Sequence, residues 1–387
     1  MIYIKEKEKC LKEIEKRRKK LISLSKIIYQ NPELGVKEFL AADIITGILQ
    51  KEGFTIEKNL GGISTAFKGS KKKGSGLHIA FIAEYDALPN IGHACGHNLI
   101  SAMSVGAALS LSVFLDSFNG EISLVGTPAE ETVGCKINLI KKGIFDNIDV
   151  AMMIHPFNKT SLNPIIVALD ALEFTFHGKS VHAAAAPYKG INALDAIILL
   201  FNNINALRQQ LKEDVRISGI IVEGGETPNI IPSRCSARFY IRSKERRYLD
   251  IVVEKVKKCG EAAAMATGTR MEITNFEQSF DNMRINKTLI GIFKNQLEEL
   301  GVSLEENPFL GSTDMGNLSQ QIPCLHPLLR VTKGKEELHT KEFAELAGKE
   351  YAQEKAIIGA KLLSLTGLAI LREPGLLKNI KRDFNES

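Results

Sequence analysis

The sequence of 387 residues predicts an α/β protein with a mostly parallel sheet, interrupted by a smaller inserted α+β domain. Three observations predict it. The short apolar runs Leu77 to Ala83, Ile122 to Gly126 and Val150 to Ile154 read as buried, parallel strands, and each ends abruptly in polar residues able to do chemistry. From about residue 166 to 278 the texture changes to period-2 stretches separated by helical patterns. After about Asp281 the helical and apolar pattern of the first part resumes, so the first domain is discontinuous, 1–165 and 279–387, with 166–278 inserted.

Charged residues alternate with Leu and Ile at helical spacing from Lys5 to Tyr29 and from Val36 to Glu52, so the chain opens with two amphipathic helices. The loop Gly69 to Gly76 leads into the strand Leu77 to Ala83, which ends in Glu84-Tyr85-Asp86. Leu99 to Leu115 runs without a charge but contains four Ser and lacks flanking basic residues. A helix buried on all sides fits it better than a membrane span. The second strand leads to Glu130-Glu131 and the third to His155-Pro156. Ligands collect beyond the carboxyl ends of strands in open α/β sheets, so the three ends point to one site.

In the insertion, Leu172 to His177, Ile217 to Val222 and Ala237 to Ile241 read as strands, with helices at Ala193 to Lys212 and Leu249 to Thr267. Strand, helix, strand, strand, helix, strand is the order of a ferredoxin-like unit. A long helix from Ala344 to Arg372, stopped by Pro374 and Gly375, is expected to close the chain.

Composition narrows the function classes. With 44% hydrophobic residues the chain is not disordered, and with only six Cys in such a length it is not a disulfide scaffold. The formal charge of +5 sits in local runs such as Lys16 to Lys20 and Lys71 to Lys73. There is no Trp, and no aromatic residues interleave those runs, so no nucleic-acid partner is expected. The segment Met1 to Lys20 is dense in Lys and Glu and has no apolar core of a secretory signal. A cytoplasmic protein is expected, with Cys10, Cys95, Cys135, Cys235, Cys259 and Cys324 as free thiols or metal ligands.

The densest chemical cluster is Gly92-His93-Ala94-Cys95-Gly96-His97-Asn98. Thiolate and imidazole bind first-row divalent ions well, and the two glycines let side chains two apart face one ion. Taken alone, the segment also fits a Gly-rich turn at a helix start. Adjacent carboxylates such as Glu130 and Glu131 usually face opposite ways, so one can bind a metal while the other takes a proton from water. Together Cys95, His97, Glu131, His155 and His339 offer five ligands, enough for two ions. In the insertion, Gly178-Lys179-Ser180 fails as a phosphate loop because the required earlier glycine is Glu173. His182, Asn229 and Arg242 remain as a set able to bind a carboxylate.

These segments, with Ala87-Leu88-Pro89, Gly126-Thr127-Pro128-Ala129 and Gly311-Ser312-Thr313-Asp314 in the same order, make the chain similar to the M20 metallopeptidase and amidohydrolase family from about residue 20 to 370. Glu-Tyr-Asp and His-Ala-Cys-Gly-His-Asn resemble its Cys-containing branch, which includes aminobenzoyl-glutamate hydrolases and dipeptidases that release basic amino acids. The resemblance implies a zinc-peptidase-like three-layer catalytic domain and an inserted lid that is also a dimerisation surface, hence a homodimer through 166–278. It implies that Cys95, His97, Glu131, His155 and His339 hold two divalent ions, Mn or Zn, with Glu130 as general base and Asp86 orienting the site. Glu84 stands where other branches have a metal-binding His. His182, Asn229 and Arg242 match residues that grip the substrate carboxylate and the oxyanion, with His182 reaching across a dimer interface.

The expected reaction is cleavage of the amide bond of a dipeptide or N-acyl amino acid by a metal-bridging water that Glu130 deprotonates. Three alternatives stand beside it: a deacetylase of N-acetylated amino acids, a thiol hydrolase using Cys95 as nucleophile, and a non-catalytic small-molecule-binding protein on the same scaffold.

Overall fold

The structure, a computed structural model, describes residues 2–306 and 310–386. The chain divides into two compact units, one formed by Met1–Ile165 with Met283–Ser387 and the other by Ile166–Asn282.

The first unit is built on a six-stranded sheet. Its parallel part runs from Gly120–Gly126 through Leu77–Ala83 and Val150–Met152 to Cys324–Leu325. Phe67–Lys73 and Thr55–Lys58 add antiparallel strands at the Gly120–Gly126 edge. Leu77–Ala83 is buried on both faces, as its unbroken apolar run requires. The uncharged run becomes the helix His97–Ser112, whose residues are all buried. It packs on Leu77–Ala83 and is covered by the helices Ile2–Gln30 and Glu350–Arg372. Among the described residues, no helix is long and apolar enough to cross a membrane.

Two features near the C-terminus depart from the sequence expectation. The single helix expected over Ala344 to Arg372 is two helices, Lys341–Ala347 and Glu350–Arg372. The carbonyl of Ala347 accepts hydrogen bonds from the side chains of Asn98 at 3.2 Å and Gln353 at 2.9 Å instead of continuing the ladder. Pro374 does not end the fold but opens a further helix, Pro374–Glu386, since a first-turn proline lacks only an N–H that the helix would leave unpaired. The third apolar run also divides, Val150–Met152 staying in the main sheet while His155–Phe157 pairs with Leu328–Arg330.

The second unit is a four-stranded antiparallel sheet in the order Arg270–Asn275, Ala168–His177, Arg234–Ser243, Arg216–Glu223, with the helices Ala193–Leu207 and Arg246–Thr267. The chain order is the strand, helix, strand, strand, helix, strand pattern of the sequence. Alternate residues Cys235, Ala237, Phe239 and Ile241 are buried in a core separate from that of the first unit, whereas Arg238, Tyr240 and Arg242 occupy the opposite face.

Candidate metal centre

Three strand ends and two loops of the first unit build the centre. Beyond Leu77–Ala83, Glu84 and Asp86 are both buried, and the intervening Tyr85 turns away to donate its hydroxyl to the Thr65 carbonyl at 2.6 Å. Gly96, with φ of 73° in the left-handed region, starts the helix that carries His97. His97 Nδ1 donates to Asp86 Oδ1 at 2.9 Å, and the other oxygen of Asp86 accepts the Glu131 N–H at 3.0 Å. One carboxylate thus fixes both the ring and the backbone of two candidate ligands, leaving His97 Nε2 free to bind.

The Glu130-Glu131 pair follows Ala129, which takes the left-handed φ of 55° that glycine would favour. Its N–H donates to Glu38 Oε1 at 2.8 Å, and Glu38 Oε2 accepts from the Thr65 hydroxyl at 3.0 Å. Glu38 therefore holds the turn that aims the pair. His155 Nδ1 donates to the Pro156 carbonyl at 2.7 Å, and the backbone N–H of His339 donates to the Ala94 carbonyl at 3.1 Å.

These supports bring all five expected ligands together. Potential ligand atoms of Cys95, His97 and His155 lie within 4.8 Å of one another, as do those of Cys95, Glu131 and His339. Cys95 belongs to both triads, which suits two ions side by side. Glu130 forms a third group with His97 and Glu131. His97 Nε2 and Glu131 Oε1 are buried and have no hydrogen-bond partner, an arrangement that costs on the order of 1–3 kcal/mol per atom unless something binds there. Thiolate, imidazole and carboxylate together suit a borderline divalent ion, so the residues fit the metal centre that the resemblance implies.

The electrostatics agree. Burial pushes Glu130 well above the usual carboxylate range, and Glu131, Glu84 and Asp314 push it further. Burial also raises the Cys95 thiol well above its usual value, with Glu131 adding to it. A thiol held protonated among carboxylates is a poor nucleophile, which disfavours the thiol-hydrolase reading. Burial would lower His97, but Asp86, Glu84 and Glu131 raise it well above the imidazole range. The surplus of anions calls for cations.

Three neighbours escaped the sequence reading. Lys136, fully buried, places Nζ 2.6 Å from Glu84 Oε1 and 2.6 Å from Asp314 Oδ1. Nothing local distinguishes it from a surface lysine, although Asp314 lies in the singled-out Gly311 to Asp314 segment. His326 is buried with its ring edge-on to His155 at 5.9 Å, and burial lowers it to about 3, so it is neutral. Glu38 carried no signal beyond preceding a helix.

His182, Asn229 and Arg242 belong to the second unit. The structure brings the first two together: Ala183 N–H donates to the Asn229 carbonyl at 2.9 Å, and Ile231 N–H to the Val181 carbonyl at 3.0 Å. His182 is exposed, with Nδ1 accepting from the Ala184 and Ala185 N–H groups. Those loops flank the Arg234 end of the strand Arg234–Ser243, and Arg242 lies at its other end, stacked 4.9 Å over the Tyr240 ring. Eight residues of strand span roughly 26 Å. No hydrogen bond joins Arg242 to either residue among those described.

A buried carboxylate pair beside a thiol and three imidazoles, at the ends of parallel strands, defines a metal-dependent hydrolase. The family description Peptidase family M20/M25/M40 matches residues 80–348, and the chain belongs to that family. It is 36% identical over 398 residues to the Xaa-Arg dipeptidase of Mus musculus, covering 98% of this chain and 92% of that protein. It is 24% identical to a p-aminobenzoyl-glutamate hydrolase of Escherichia coli (strain K12), over 96% of this chain and 93% of that one. Among solved structures, the Bacillus subtilis YXEP protein, a dinuclear metal binding peptidase from the M20 family, shares the fold. Its TM-score is 0.73 at 20% identity, covering 92% of this chain and 99% of that chain. The expected α/β architecture and the hydrolase class are therefore established for this chain.

Proposed function

We propose that this hydrolase cleaves the amide bond of a dipeptide whose C-terminal residue is basic. Two ions, Mn or Zn, would be held by Cys95, His97, Glu131, His155 and His339. The convergence of two donor triads on a shared Cys95, next to a buried Glu130, carries the reading. The substrate class rests on the similarity to an Xaa-Arg dipeptidase along nearly the whole chain.

When bound, the ions supply acidification of the attacking water and polarisation of the scissile carbonyl. Glu130 takes the proton from that water and passes it to the leaving amine. Its raised affinity for a proton suits both steps near neutral pH. Asp86 keeps His97 and Glu131 in place. His182 donates to the developing oxyanion, and Arg242 grips the substrate carboxylate with its fork of donors.

A homodimer belongs to the same proposal. His182 and Arg242 flank opposite ends of one strand, so a partner's His182 would complete the site. The strand Arg216–Glu223 ends the second unit's sheet with Ile220, Ile221 and Val222 exposed at 65%, 47% and 47%, an edge suited to covering by a second copy. A cytoplasmic home follows too, because a ligand thiol such as Cys95 keeps its working state where thiols stay reduced.

The test is a hydrolysis panel with added Mn or Zn, comparing β-alanyl-lysine and Xaa-Arg dipeptides with aminobenzoyl-glutamate and N-acetylated amino acids. Basic dipeptides should give the highest kcat/KM, and a chelator should abolish turnover. Preference for aminobenzoyl-glutamate or an N-acetylated substrate would overturn the substrate class. Turnover insensitive to chelators would overturn the metal centre.

A further inference from the structure

Beside the five candidate ligands lies a second group of carboxylates. Potential ligand oxygens of Glu84, Glu130 and Asp314 lie within 4.8 Å of one another, much as those of a metal site do. The chain has filled this group itself. The ammonium of Lys136, with no exposed surface, sits 2.6 Å from Glu84 Oε1 and 2.6 Å from Asp314 Oδ1. The backbone N–H of the same lysine donates to Asp314 Oδ2 at 3.0 Å. Both oxygens of Asp314 are therefore committed to one residue, and one oxygen of Glu84 is turned away from the candidate centre. The other, Oε2, lies 3.4 Å from His97 Nε2, the ring nitrogen left free by Asp86.

Burying a lysine and two carboxylates gains little over packing apolar residues of the same volume. What the arrangement does secure is geometry. Lys136 opens the helix Cys135–Lys141 that follows the Glu130-Glu131 turn, Glu84 ends the central strand, and Asp314 precedes the short helix Met315–Ser319. One ammonium ties three chain segments together around Glu130. Without it, three carboxylates would face one another with no countercharge, a group that either moves apart or recruits a cation.

We propose that Lys136 is a positioning residue, the built-in cation of the Glu84, Glu130 and Asp314 group. It keeps a further divalent ion out of that group and leaves only Oε2 of Glu84 facing His97. The proposal rests on the reading that divalent ions sit among Cys95, His97, Glu131, His155 and His339, and it assigns Glu84 the part of a fixed anion beside them.

The experiment counts ions. The full chain, Lys136→Ala and the double variant Lys136→Ala with Asp314→Asn are each incubated with excess manganese chloride, passed through gel filtration, and analysed for metal per chain. Lys136→Ala should retain one more ion than the parent, and the double variant should return to the parent's number. A lysine that is merely structural changes the melting temperature without changing that number. A folded Lys136→Ala with the parent's metal content overturns the inference while leaving the parent's own centre standing. A parent that retains no ion overturns the metal-centre reading and the inference with it. Should Lys136→Ala fold poorly on its own, manganese should recover it in circular dichroism. Failure of manganese to do so, while the double variant folds, overturns the inference.

Discussion

Glu130 can be separated from the ligands by a change of one atom type. Glu130→Gln keeps shape and hydrogen-bonding reach but cannot take up a proton, so turnover should fall by about 10² to 10⁴ while metal per chain stays at the parent's value. Elemental analysis beside steady-state kinetics reads both, and a near-parental kcat removes Glu130 from the general-base role. Glu38 makes a different prediction at the same scale. Burial, with Asp86 adding to it, pushes its carboxyl from 4.5 up to about 7, against hydrogen bonds from Thr65 and Ala129. The folded chain therefore holds this proton more tightly than the unfolded chain. The resulting stability is fully present below pH 4.5 and is lost as the pH rises to about 7, an effect on the order of 2–3 kcal/mol. Glu38→Gln can still accept from Ala129, and its unfolding free energy should vary less over that window than the parent's. Urea titrations at pH 5 and 7 that show equal slopes for both proteins would exclude the assignment. Such residues also mark how far the sequence could be read. Cys95, His97 and the Glu pair stand out because several chemically able groups crowd into a few positions. Lys136 and Glu38 do not, because their importance comes from partners far away in sequence, Asp314 for the one and Ala129 for the other.

Elements were legible where their signal is local. A short apolar run ending in charge identifies a strand of the parallel sheet without reference to anything else, and the insertion's alternation of periods gives its element order directly. The C-terminal helices were misjudged because the break after Ala347 is made by Asn98, nearly 250 positions away, and no local pattern announces it. The start of the helix His97–Ser112 carries a sharper, testable demand. Gly96 combines a left-handed φ with an ideal β-carbon position 3.1 Å from the Pro156 ring, beside His155. Gly96→Ala should cost about 1–2 kcal/mol in backbone strain and displace His97 or His155 from the shared ion. Manganese affinity measured by calorimetric titration should fall roughly 10-fold, the scale seen when the support of a ligand is disturbed. Gly375→Ala is the control, since no atom lies within 4 Å of its β-carbon position. Equal affinity in the two variants would show that the helix start tolerates a side chain.

At the scale of the whole molecule, two separate cores make metal binding a local stabiliser. All five candidate ligands, with Asp86 and Glu38 behind them, lie in the unit formed by Met1–Ile165 and Met283–Ser387. A ligand that binds only the folded form stabilises the body that holds it, by about 2.7 kcal/mol at a free concentration 100 times its Kd. The unit Ile166–Asn282 supplies no candidate ligand and has its own buried set around Phe174, Phe176 and Phe239. Manganese should therefore slow amide exchange in Leu77–Ala83 and His97–Ser112, where opening requires release of the ion, by up to about 100-fold under those conditions. Exchange in Ala168–His177 and Arg234–Ser243 should be unchanged, and a chelator should reverse the effect in the first pair of segments alone. Hydrogen exchange read by mass spectrometry resolves these four segments separately. Equal protection in all four would mean that the units open as one cooperative body, so that the ion stabilises the insertion through the scaffold despite its separate core.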